Sequence, residues 1–132
     1  MRYVRWAAVL PAALVAWHFA LFLGVAALSF LESLCPPELV ISGMCTASWF
    51  PTAEKIVFWL AAALAAGLIV VSVGVVAPAK KVGAAYASLL FGSAIALWLA
   101  VETHAWGEFV SAVVAGGITV LVVRRLVAPL GR

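Results

Sequence analysis

With 132 residues, 67% of them hydrophobic and only 10% charged, and a mean hydropathy of +1.23, the chain has too little polar surface for a water-soluble globule, in which roughly 25% charged residues are ordinary. Its solvent is lipid. The net charge of +3 does not point to nucleic acid, because the basic residues are scattered over the ends of apolar runs instead of forming a patch.

A bilayer core about 30 Å thick requires about 20 apolar residues of helix, since only a helix or a closed barrel satisfies its backbone polar groups without water. Four segments reach that length, at about 6–31, 55–77, 82–102 and 107–127, and none alternates like the ten-residue strands of a barrel. The expected fold is therefore all-α, a single-domain integral membrane four-helix bundle of up-down topology.

The first span follows Arg2 and Arg5 like the start of a secretory signal. Its apolar run from Trp6 to Phe30 is much longer than a signal core, so it reads as an uncleaved span, with Pro11 causing a kink or an N-terminal break. A loop at 32–54 follows, carrying Cys35 and Cys45. Pro51 and Thr52 suggest the entry to the second helix, with Thr52 as N-cap and Glu54 near the positive dipole end. Pro78 ends that helix at Ala77, because the residue before proline is pushed out of the helical region.

Small residues at four-residue spacing, Gly83/Ala87 and Ser88/Gly92/Ala96 in the third span and Ala112/Gly116 beside Gly117 in the fourth, allow close helix approach in lipid. They predict that spans two, three and four stack antiparallel with the first closing the bundle.

Charge is sorted by sign onto alternate ends of the spans. Arg2, Arg5, Lys80, Lys81, Arg124, Arg125 and Arg132 fall at one set of ends, while Glu32, Glu38, Glu54, Glu102 and Glu108 fall at the other with one basic exception, Lys55. Because Lys and Arg favour cytoplasmic loops, both termini are expected in the cytoplasm and the 32–54 loop outside an inner (plasma) membrane. Trp49, Trp59, Trp98 and Trp106 then mark the outer interface, and Tyr3, Trp6 and Tyr86 the inner one.

Three groups of residues carry potential chemistry. Cys35 and Cys45, with nine residues between them, should bridge in an oxidising compartment; closing that loop is worth roughly 3 kcal/mol in the chain-entropy view. The pair reads as a structural staple, or as a thiol-disulfide relay to a quinone or a partner, although a relay normally has a C-x-x-C motif and a second pair. His18 lies mid-span on a stripe with Leu14, Phe22, Val25 and Ser29. An ionisable group at that depth should face the bundle or a wet cavity, hydrogen-bonded across helices to Ser88, Ser93 or Thr119, or act as a haem ligand or proton relay. The only other histidine, His104, differs from it in depth by very roughly 15 Å, which argues against a shared haem. Glu102, His104 and Glu108 bracket the turn between the last two spans as a solvated acidic rim or a zinc or copper site.

No phosphate-binding loop, dinucleotide fingerprint, serine-histidine-acid arrangement or HExxH occurs. The leading reading is a non-catalytic accessory, assembly or scaffolding subunit of a larger membrane complex. It would need no cofactor, and would contact lipid and either a membrane-protein partner or another copy of itself through Trp49, Phe50 and the seams at Gly83, Gly92, Gly116 and Gly117. The alternatives are a membrane redox protein using Cys35/Cys45 with quinone or haem near His18, and a small homo-oligomeric transporter.

Overall fold

The computed structural model describes residues 6–78 and 80–127. Arg2, Tyr3, Arg5 and Arg132, assigned above to the cytoplasmic interface, lie outside the described residues. The described residues form four long helices, α1 (Val9–Ser33), α2 (Phe50–Val76), α3 (Lys81–Thr103) and α4 (Trp106–Val127). All four are long and apolar enough to cross a membrane, and the fold is that of a multi-pass membrane protein.

The helix boundaries follow local chemistry. Pro11 sits in the first turn of α1, where its missing N–H would be an orphan in any case, and Ala12 N–H donates to Ala8 across it. α2 begins at Phe50, with Trp49 in the cap position and Pro51 in the first turn, so Thr52 lies inside the helix and caps nothing. Pro51 tolerates the first turn for the same reason as Pro11, which lets the helix start earlier than Thr52 alone would suggest. At its other end Ala77 is extended (φ −55°, ψ 126°), as a residue before proline must be. Lys80 (φ 51°) opens α3 and His104 (φ 60°) closes it, both left-handed.

The connection between α1 and α2 has structure that the sequence pattern did not suggest. A short 3₁₀ turn (Pro37–Leu39) leads into an antiparallel hairpin of β1 (Val40–Ile41) and β2 (Met44–Cys45), with Val40 opposite Cys45. Ser42 (φ 52°) and Gly43 (φ 80°) make the two-residue turn, the pair of positive φ values that matches the twist of a hairpin. Thr46 secures its base, donating from both its backbone N–H and its hydroxyl to the Leu39 carbonyl.

α2 is the most apolar helix, with a mean hydropathy of 2.6 against 1.8 to 2.1 for the others, and it packs against all three. α1 lies along α2, with Gly24 opposite Ala61, and only grazes α3 and α4. The first helix therefore flanks a three-helix unit instead of closing a four-helix ring. The well-packed core lies where Gly74, Ala85 and Val123 meet, and is built from Val70, Ala85, Val120 and Val123 with Leu89 and Val127 against them. This is the end that carries Lys80, Lys81, Arg124 and Arg125. At the opposite end, where Trp59 meets Gly107, lie Glu54, Glu102, His104 and Glu108. The bundle is dense at its basic end.

Candidate functional site

At the acidic end the packing opens into a cavity of about 420 Å³. Its walls are the small-residue faces of α2 (Ala62, Ala65, Ala66) and α3 (Ser88, Gly92, Ser93, Ala96, Ala100), the start of α4 around Glu108 and Ala112, and Trp17 of α1. The cavity exists because these side chains are short. In lipid, helices are held by van der Waals contact at close approach, and a face of Ala, Gly and Ser that no large neighbour fills leaves a void.

The glycines separate accordingly. A β-carbon at Gly116 would meet Leu89 Cδ1 at 2.7 Å and Ala66 at 3.7 Å, so this glycine is a true seam between α4, α3 and α2. Gly92 and Gly117 have nothing within 4 Å of where a β-carbon would stand, and Gly83 meets only Lys80 of the adjoining turn at 3.8 Å. No other helix reaches within 4 Å of the β-carbon position at any of the three, and Gly92 lines the cavity instead. Spacing revealed that the faces are small without revealing what fills them. Gly24, Gly67, Gly74 and Gly107 were passed over, yet each has another helix within 3.4 Å of its β-carbon position, and at Gly107 it is the indole of Trp59.

His18 does not face the bundle interior. It is exposed, its Nδ1 donates to the Leu14 carbonyl of its own helix at 2.8 Å, and its ring packs edge-on against Trp17 at 4.8 Å. Two of the three suggested partners, Ser88 and Thr119, are occupied elsewhere. Ser88 donates to Ala85 and Thr119 to Ala115, each within its own helix, as Ser and Thr commonly do in apolar helices. Because α1 only flanks α2, the stripe of Leu14, His18, Phe22 and Val25 points away from the rest of the chain.

Cys35 and Cys45 form a disulfide, with their Cα atoms 5.9 Å apart. It ties the end of α1 to β2 and encloses the hairpin. Trp49 and Phe50 stack edge-to-face at 5.8 Å beyond it, Trp49 exposed and Phe50 half-buried.

The residues around the α3–α4 turn diverge. Glu102 and His104 are exposed, whereas Glu108 is half-buried at the cavity, and among the described residues no three His, Cys, Asp or Glu side chains gather where a metal could be held. The left-handed backbone of His104 turns the chain immediately, and Trp106 N–H donates to its carbonyl. His18 and His104 also lie on helices that barely touch. No protein-family model, curated protein or solved structure matches the chain.

Proposed function

We propose that this protein is a non-catalytic accessory subunit of a larger inner-membrane complex, with up-down topology, both termini in the cytoplasm and the disulfide-bonded hairpin outside. Two features support this topology: basic residues gathered at one end of the bundle, and a disulfide at the other, which an oxidising compartment maintains. The single observation that carries the accessory role is the outward placement of His18. With Nδ1–H committed to Leu14, Nε2 has no hydrogen-bond partner among the described residues. Histidines at membrane depth almost always face protein or a wet cavity, since a polar group against hydrocarbon is costly. A transmembrane helix of another protein, offering a hydroxyl, amide or indole donor at this depth, covers it.

The test is a photo-crosslinking residue at Phe22, one turn from His18 and 68% exposed, compared with one at Phe91 on α3, which is 71% exposed. The subunit reading expects a discrete adduct with a different membrane protein from position 22 alone, and loss of most of that adduct in the His18→Leu background. An adduct of twice the chain mass would replace this reading with self-association. Adducts with lipid only from both positions would refute any partner on α1.

A further inference from the structure

We propose that the cavity at the acidic end binds a slender lipophilic cation, with one hydrocarbon chain along α3 and a positively charged amine at Glu108. The shape comes first. The lining residues of α3 run from Ser88 to Thr103, which at 1.5 Å per residue spans about 22 Å. The site is therefore long for a volume of about 420 Å³, a shape that suits an extended chain. The volume itself lies within the range of roughly 300–1,000 Å³ typical of small-molecule sites.

The ends differ in chemistry. At the inner end Val70 and Leu89 belong to the packed core, so the floor is closed and apolar. Along the wall the hydroxyl of Ser88 is turned back onto the Ala85 carbonyl, and Ser93 adds one further hydroxyl to an otherwise mostly apolar wall. At the other end stand Thr103 and Glu108, and the Thr103 hydroxyl is itself committed to the Leu99 carbonyl. Glu108 is thus the one ionisable side chain in the lining, held half-buried in the first turn of α4.

That charge decides between occupants. Phospholipid is abundant, but its phosphodiester would need a cation, and among the described residues no Lys, Arg or His lines the cavity. The same lack of a basic residue, together with the Glu108 carboxylate, disfavours a fatty acid or an alkyl sulfate. An alkylammonium satisfies both parts of the site at once. Its chain replaces lipid or void with contacts along about four turns of helix, and its head forms a charge-assisted contact with the half-buried carboxylate.

Native mass spectrometry of the full chain in a nonionic detergent tests this with hexadecylammonium as probe and hexadecyl sulfate and phosphatidylglycerol as competitors. One cation per chain is expected, with the sulfate and the phospholipid weaker by at least an order of magnitude. Glu108→Gln should weaken the cation on the order of tenfold and leave the sulfate unchanged or improved. Gly92→Leu should abolish binding of the cation; it adds a side chain where nothing stands within 4 Å, so it fills the void without a clash. Circular dichroism and thermal unfolding of both variants establish that they are folded. Equal binding of cation and sulfate, an unaffected Glu108→Gln variant, cation binding that survives Gly92→Leu, or phospholipid held as tightly as the cation would each overturn the proposal. None of these outcomes depends on whether α1 has a protein partner at His18.

Discussion

The indole of Trp59 lies across Gly107, occupying the space that a side chain at position 107 would need. The contact locks the first turns of α4 against α2 at the end of the bundle where the cavity opens. An indole can come this close to a helix only where the helix presents bare backbone, so Gly107 acts as a packing surface. Gly107→Ala forces the indole aside and should cost about 1–3 kcal/mol, as overpacking of a close contact does. Thermal unfolding in mild detergent measures it. In a Trp59→Ala background the same substitution should cost far less, and the coupling between the two positions is the quantity that identifies the contact. Equal penalties in both backgrounds would show that Trp59 is not what excludes the β-carbon.

Gly116, Gly92 and Gly117 allow a sharper comparison, because they have identical chemistry and opposite surroundings. Gly116→Ala pushes on Leu89, which is itself packed against the core, and should destabilise by about 1–3 kcal/mol. Gly92→Ala and Gly117→Ala meet nothing within 4 Å, so the helix propensity of alanine over glycine, up to about 1 kcal/mol, should appear as a gain. A parallel loss at all three positions would mean that the open faces are packed in the folded protein.

These glycines also show where the sequence stopped being legible. Runs of about twenty apolar residues dictate helices because lipid leaves the backbone no other partner, and the four elements were readable for that reason. The pairing of Cys35 with Cys45 was readable because there is no third cysteine. A small-residue stripe is different: it specifies a face on which something can come close, while the neighbour that does so is chosen by helix rotation. Gly116 receives Leu89; Gly92 receives nothing, and a cavity results. The orientation of His18 depended on the same rotation and on α1 flanking the other helices. The Val40–Cys45 hairpin was missed although Ser42-Gly43, a turn dipeptide between apolar neighbours, was in plain view. The reason is its length, since two residues on each side are too few for a period-two pattern.

His104 ends α3 with φ 60°, a conformation that costs a non-glycine residue roughly 1–2 kcal/mol. Its imidazole is exposed and no metal-binding group forms around it among the described residues. His104→Gly should therefore raise stability by about 0.5–1 kcal/mol, the relief of the left-handed conformation exceeding the added freedom of the unfolded chain. Thermal unfolding again provides the measurement. A marked loss of stability instead would show that the side chain holds a contact at the turn.

The disulfide is the feature on which the structural and redox readings part most cleanly. Closing the ten-residue separation between Cys35 and Cys45 restricts the unfolded chain by about 3 kcal/mol in the entropy view, and the bridge encloses the hairpin whose base Thr46 pins to Leu39. As a staple, it should be lost at that cost in Cys35→Ser/Cys45→Ser, with the loop loosened and the four helices intact, because each helix satisfies its own backbone hydrogen bonds. Hydrogen exchange should rise at the β1–β2 amides and stay low within α2, α3 and α4. A relay cysteine behaves differently: it must be attacked by a partner thiolate, so the single variant Cys45→Ser should trap a mixed disulfide through Cys35 with a second protein or carrier thiol. Non-reducing electrophoresis of the single variants from oxidising membranes distinguishes the two. Absence of a discrete trapped species from either variant, together with selective loosening of the hairpin, is the outcome expected here.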